Sequence, residues 1–282
     1  MIVKWVIESK PFGGDADAIL SSVKKNGMEV IEVDFLDYIA GKYNSEYLPS
    51  GDECVITYGS LSLVRRVRQD RPNWIPGAWY TSDNFRCNNY YPYFAEYLLN
   101  KDYIILPLGE LVRRGTLLKE FGSKAFVRPV TGWKTFTGSV VDLKDVSLAT
   151  FGYEHWDKGK TELVVIASEK SICNEWRFVV CNKRVIAGSK YITNEEIEYK
   201  KVYNGRVWDY AQSVISDIEW EPDPIYTIDI CESVHGKLFV LELNAFSTSG
   251  LYDCDPDVVV ETASDLAAEQ KTYYSKYNKL LP

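Results

Sequence analysis

The chain has 282 residues, with 32 Lys+Arg against 40 Asp+Glu and a formal net charge of −8, long enough to bury one or two ordinary cores. Apolar residues at 46% and charged residues at 26% exclude a disordered or fibrous chain, and the acidic balance excludes a protein whose main task is neutralising a nucleic-acid backbone. Two histidines and six scattered cysteines without a CxxC pair exclude histidine-rich metal sites and zinc ribbons, and predict reduced, mostly buried thiols in a cytoplasmic protein.

The start, MIVKWVIESK, reads as a strand and not a signal peptide, and no stretch approaches the ~20 uninterrupted apolar residues of a membrane helix. Ile2–Ile7 is an apolar strand, Ala16–Lys25 is helix-like and Glu29–Phe35 alternates as a strand does. Cys54–Tyr58 follows as an apolar strand ending in Gly59-Ser60, and Leu61–Gln69 is helix-like. This rhythm predicts a small parallel-sheet α/β domain over residues 1–100, closed by a helix over Tyr93–Asn100.

Residues 101–282 read differently. Strands are expected at Ala125–Pro129, Gly138–Val141, Glu162–Ser168, Trp176–Cys181 and Arg184–Tyr191. A helix over Arg206–Glu219 carries Val207, Ala211, Val214, Ile215 and Ile218 on one face, the strands Tyr226–Cys231 and Leu238–Asn244 form a pair, and Asp257–Tyr277 is a closing helix. Strand runs mixed with helices indicate an α+β domain with antiparallel sheet.

The strand pair is the most informative segment. A two-residue turn at His235-Gly236 makes paired positions sum to 235 + 236 = 471, and 229 + 242 = 471 as well. Asp229 is then directly opposite Glu242, with Asn244 on the same face. Like charges across a sheet destabilise it unless compensated, and two carboxylates with an amide oxygen are the hard ligands that magnesium prefers. The alternative is a solvated acidic face in accidental register. Arg128 on its strand, and Lys134 in a loop flanked by Gly132 and Gly138, supply the fixed positive charge that a triphosphate needs. By themselves they equally describe a hairpin with two surface cations. Ser247–Gly250 is read either as an acceptor loop or as a polar turn, Gly59-Ser60 as an anion site or a structural turn, and the aromatic cluster from Trp79 to Tyr97 as core packing.

With Asp229, Glu242-x-Asn244, Phe-Arg-Cys-Asn-Asn-Tyr-Tyr (85–91), Phe-Val-Arg-Pro (126–129), Lys-Thr-Phe-Thr-Gly (134–138), Glu-Trp-Arg-Phe (175–178) and Leu-Glu-Leu-Asn (241–244) in this order, the sequence resembles the ATP-grasp superfamily. It is similar to the divergent clade that contains the eukaryotic assembly factor for translation initiation factor two, and looks like a bacterial or phage-type member. The resemblance implies an α+β ATP-grasp fold: a pre-ATP-grasp domain over 1–100, then an ATP-grasp domain of two subdomains over 101–282 with a hinge near 162–170. It implies ATP and magnesium as cofactors, with the metal on Asp229, Glu242 and Asn244. It places the backbone of Ile166, Ala167 and Ser168 at the adenine, Glu175 at the nucleotide, and Arg177, Lys190, Arg128 and Lys134 at the phosphates. Arg128 stands where most members carry lysine. The activity implied is a carboxylate–amine (or related nucleophile) ligase acting through an acyl-phosphate on unknown substrates, among them a peptide or protein. The alternative is an ATP-binding assembly chaperone with little turnover. A magnesium-dependent phosphatase lacks a nucleophilic Asp motif here, and neither membrane nor nucleic acid is an expected partner.

Overall fold

A computed structural model of the chain describes every residue except 9, 12–13, 44–46, 50, 133–134, 195 and 278–282. The elements are β1 (Lys4–Ile7), α1 (Gly14–Lys25), β2 (Glu29–Glu32), α2 (Phe35–Ile39), β3 (Cys54–Tyr58), α3 (Leu61–Asp70), β4 (Ile75–Gly77), α4 (Cys87–Phe94), β5 (Ile104–Pro107), α5 (Leu108–Arg114), β6 (Lys124–Pro129), β7 (Ser139–Asp142), α6 (Trp156–Gly159), β8 (Leu163–Ser168), β9 (Ile172–Cys181), β10 (Arg184–Thr193), β11 (Glu196–Val202), α7 (Arg206–Asp217), β12 (Ile225–Ser233), β13 (Leu238–Ala245) and α8 (Pro256–Tyr277). The fold is α+β, as expected. Packing divides the chain into two compact units, one of Met1–Thr81, Asn174–Ile230 and Glu242–Pro282, the other of Ser82–Cys173 and Cys231–Leu241. These bounds follow packing and differ from the linear division at residue 100.

The first unit holds a parallel sheet of order β2-β1-β3-β4. Every residue of β3 is buried, which matches its unbroken apolar run, since a parallel strand covered on both faces shows no alternation. The expected strand through Phe35 stops early for a local reason. The Asp34 carboxylate accepts from the amides of Leu36 (2.9 Å) and Asp37 (3.2 Å) and starts α2 instead. Ser60 starts α3 in the same way, its Oγ accepting from the Leu63 amide at 3.2 Å. The long helix α8 supplies Val259, Val260, Ala263, Leu266 and Ala267 to one core with Trp5, Ile56 and Tyr58.

Most of a five-stranded sheet of order β11-β10-β9-β12-β13 also belongs to this unit. β9 and β10 run longer than their sequence signals, pairing from Arg184↔Cys181 to Thr193↔Asn174. β11, mixing Glu, Lys and apolar residues with most of its residues exposed, gives no strand signal in the sequence; it pairs with β10 at the sheet edge, and the Lys201 amide donates to Asp253 Oδ2 at 3.0 Å.

The second unit is an antiparallel sheet of order β5-β8-β6-β7 over a core that includes Leu108, Leu111, Val127, Val141, Phe151, Val164 and Ile166. The helix expected at Tyr93–Asn100 lies earlier, at Cys87–Phe94. Cys87, Tyr90, Tyr91 and Phe94 are all buried, at the spacing of one helix face, and that packing outweighs the Pro92 inside the helix. Past Phe94 the backbone turns to other partners: the Val240 amide donates to Tyr97 (2.8 Å), and the Leu99 amide donates to Val240 (2.9 Å). All six cysteines are free, and five are buried. Among the described residues no helix is long and apolar enough to cross a membrane.

Candidate active site

The acidic hairpin turns differently from the expectation. The Gly236 amide donates to the Ser233 carbonyl (2.8 Å) and the Ser233 amide donates to the Lys237 carbonyl (2.9 Å). The loop is therefore three residues, Val234–Gly236, with Gly236 at φ 74° in the left-handed position that closes such a turn. Near the turn, pairs sum to 233 + 237 = 470, one less than predicted. Further along β13 the burial phase slips: Leu238 and Val240 are buried, then Leu243 and Ala245, with Leu241 and Glu242 both half-buried. Further along the pair, Thr227 Oγ1 donates to the Asn244 carbonyl at 3.4 Å.

Within the first unit, the carboxylates of Asp229 and Glu242 converge on one guanidinium. Arg177 Nε donates to Asp229 Oδ1 (2.8 Å) and Nη2 to Oδ2 (2.7 Å), a bidentate pair. Nη1 donates to the Gly250 carbonyl (2.8 Å), and Nη2 lies 3.9 Å from Glu242 Oε1. The Asp229 side chain is 1% exposed, that of Arg177 6% and that of Glu242 17%. Burial opposes the charge on Arg177, but the Asp229 carboxylate outweighs it and holds the guanidinium well above its ordinary pKa. Asn244 Nδ2 donates to Glu242 Oε1 at 2.9 Å. Burial, with like charge from Asp229 and Glu242, lifts the Glu175 carboxyl above the usual carboxylate range, against the Tyr191 hydroxyl that donates to it at 2.6 Å.

Three tyrosines line this network, and none carries a sequence signal. Tyr252 stacks on Tyr191 (4.6 Å, 20°) and on Tyr199 (5.3 Å, 27°), and the Arg177 guanidinium lies 4.9 Å from its ring centroid. Burial pushes the Tyr252 hydroxyl up to about 12. Its φ of 54° is a left-handed conformation that a bulky residue rarely adopts. Lys190 extends over Trp176 (5.6 Å) with Glu198 at 3.9 Å.

In the second unit, Arg128 lies on β6 opposite Val165. A Cβ on Gly138 would stand 2.9 Å from Phe126 Cζ and 3.1 Å from Arg128 Cβ, so only glycine fits against this strand. Lys134 lies outside the described residues. Ile166 is laddered on both sides, to Ile104 and Val127, whereas Ala167 and Ser168 pair only with Phe126 and Ala125. The Ser168 amide donates to Asp102 Oδ2 at 3.3 Å, its hydroxyl bonds the same carboxylate, and Lys170 Nζ reaches Asp102 Oδ1 at 2.7 Å. Burial works against the Asp102 charge, yet Lys170 and Ser168 hold it below the usual range.

The loop after the metal strand is consumed by the fold. Ser247 Oγ accepts from the Trp79 amide (3.0 Å), and Ser249 Oγ donates to the Ala245 carbonyl (2.8 Å). At Gly59-Ser60 the amides are likewise engaged, by the Ser247 carbonyl (3.0 Å) and by Glu8 Oε2 (2.9 Å). The turn readings therefore account for both segments.

Among the described residues no three His, Cys, Asp or Glu side chains gather as a metal cluster. The donor chemistry still fits magnesium at one place. A carboxylate and an amide oxygen are hard donors, and magnesium is usually held by one or two carboxylates, with water and substrate phosphates completing its shell. Glu242 and Asn244 meet that requirement. Asp229 is set apart by burial, 1% exposed with each oxygen accepting one bond from Arg177.

Solved structures of the same architecture define the class. D-cycloserine synthetase DcsG aligns with a TM-score of 0.64 at 11% identity, over 95% of this chain and 100% of that one. The ATP-grasp ligase PsnB, complexed with a minimal precursor, gives 0.60 at 13% over 94% and 98%, and D-alanine–D-alanine ligase from Bacillus anthracis gives 0.57 at 12% over 99% and 100%. The fold is the ATP-grasp fold. No curated protein matches the sequence. A family model described as an ATP-grasp domain, the second family of its clade, matches residues 110–262. The chain belongs to that family, a divergent branch of the ATP-grasp proteins.

Proposed function

We propose that the chain is an ATP-dependent ligase that joins a carboxylate to an amine or related nucleophile through an acyl-phosphate. The observation that carries this reading is Glu242 and Asn244 side by side on one strand next to a fully buried Arg177–Asp229 pair, in a chain of a family whose structural neighbours are ligases. A carboxylate oxygen of the acceptor attacks the γ-phosphorus, the bond to ADP breaks, and an acyl-phosphate results. The amine then attacks the acyl carbon, phosphate leaves, and the nitrogen gives up its proton to water.

Roles follow residue by residue. Glu242 and Asn244 would hold magnesium, which when bound neutralises charge building on the transferred phosphoryl group. Arg128, Lys134 and Lys190 serve the phosphates, the backbone beyond Ile166 at Ala167 and Ser168 the adenine, and Glu175 the nucleotide. Arg177 orients the acidic strands from behind. The protein's part is alignment and electrostatics, with no side-chain nucleophile needed. PsnB was solved with a precursor peptide, which supports a peptide or protein carboxylate as the acceptor.

The test is incubation with magnesium-ATP and pools of carboxylates and amines, following ADP by chromatography and products by mass. Ligation gives ADP only when both pools are present, and a product lighter than its two parents by one water. Tight ATP binding with no stimulated ADP, across pools that include proteins, gives the assembly-chaperone reading instead.

A further inference from the structure

We propose that Arg177 is a built-in cation that permanently satisfies Asp229, so that the divalent ion rests on Glu242 and Asn244 and the chain takes up one ion per nucleotide. This rests on the ATP-binding reading above and reassigns one of its three sequence-derived metal ligands. Asp229 and Glu242 are two carboxylates on one face, and such a pair calls for a compensating cation. The chain supplies one itself. Arg177 matches Asp229 with two parallel N–H bonds at 2.8 and 2.7 Å and uses a third on the Gly250 carbonyl. A guanidinium fork matches a carboxylate in geometry as well as charge.

Asp229, 1% exposed with both oxygens accepting from the fork, gives an ion no open approach unless the fork moves. Arg177, 6% exposed, would then face the rings of Tyr191 at 6.0 Å and Tyr252 at 4.9 Å in place of a carboxylate. A ring face holds a cation far more weakly than a paired carboxylate does, and a buried charge without its partner is strongly destabilising. Displacement is the losing course. Glu242 differs in both respects: it is the more exposed carboxylate at 17%, and its distance to Arg177 is 3.9 Å, with Asn244 beside it on the same strand. Arg177 is thus a positioning residue, and it sets the number of ions.

The experiment counts Mn²⁺ by electron paramagnetic resonance in the full chain saturated with the non-hydrolysable analogue AMPPNP. One Mn²⁺ per bound AMPPNP is expected for the wild type, and Asp229→Asn should keep that ion while Glu242→Gln loses it. Arg177→Met, by baring Asp229, should gain a second ion, which a merely structural arginine would not do. Should that variant fail to fold, the wild-type count and the Asp229→Asn and Glu242→Gln contrast decide. Two ions in the wild type, or loss of the ion in Asp229→Asn with AMPPNP still bound, overturns the proposal and leaves the ligase reading standing. Failure of AMPPNP to bind overturns both.

Discussion

Two hairpins hold most of the residues proposed for metal and phosphate, and they are built on opposite plans. In β12–β13 the functional groups are part of the strands, and Asp229 is locked by Arg177 from β9. In β6–β7, which pair from Lys124↔Asp142 to Val127↔Ser139, Arg128 lies past the last rung with β7 and is laddered to Val165 of β8. A residue of an inner strand inherits its position from ladders on both sides; one past the last rung has a single ladder. The comparison predicts that substitutions in the acidic hairpin act first on stability, and those in the basic one act first on ligand affinity.

The largest effect should come from Asp229→Ala, which strands a buried guanidinium and is expected to cost about 3–5 kcal/mol in urea unfolding. Next is Asp223, two residues before β12, whose carboxyl burial raises to about 6 while the Thr81 amide donates to it at 3.1 Å. Folded Asp223 holds its proton more tightly than the unfolded chain does. Its ionisation therefore lowers stability above about pH 6, and the loss fades as the pH falls towards 4. Asp223→Asn should raise stability by on the order of 2 kcal/mol near pH 7.5 and by little near pH 4, read as melting temperature against pH. In the basic hairpin, Arg128→Ala should weaken ATP by about 1.5–3 kcal/mol in calorimetric titration, and adenosine much less. An equal loss for both ligands, or a stability loss like that of Asp229→Ala, would erase the contrast between the hairpins. The smallest effect is Gly138→Ala, which drives a methyl into Phe126 and Arg128 and should cost roughly 1–3 kcal/mol where Gly132→Ala, with its nearest neighbour at 3.5 Å, costs almost nothing in the same melt.

Periodicity made β3, α3, α7 and α8 legible nearly to the residue, because each is a regular apolar pattern bounded by a cap or a turn. α4 lies earlier than the helix expected at Tyr93–Asn100, although Cys87, Tyr90, Tyr91 and Phe94 have the spacing of a buried face. In the candidate site, the numbers put Asp229 and Glu242 in one neighbourhood, and the structure sets both beside Arg177, although the turn has three residues and not the two expected. What the numbers could not carry was Arg177. Its partner is 52 positions away, and its alternation beside Trp176 said only that it faced the polar side. The stack of Tyr191, Tyr252 and Tyr199 was equally hidden, since stacking across strands and a loop leaves no period in the sequence.

The core beneath α8 joins segments far apart in the chain. Trp5 Nε1 donates to Ser264 Oγ at 3.1 Å and Trp79 Nε1 to Gln270 Oε1 at 3.0 Å, while Ser22 Oγ reaches the Asp257 carboxylate at 2.6 Å. Ala16, Ile19 and Val23 of α1 share the same core, so during synthesis this face of the sheet is covered in two stages, first by α1 and last by α8. Trp5, Ile56 and Tyr58 reach their full burial only once that final helix has been made.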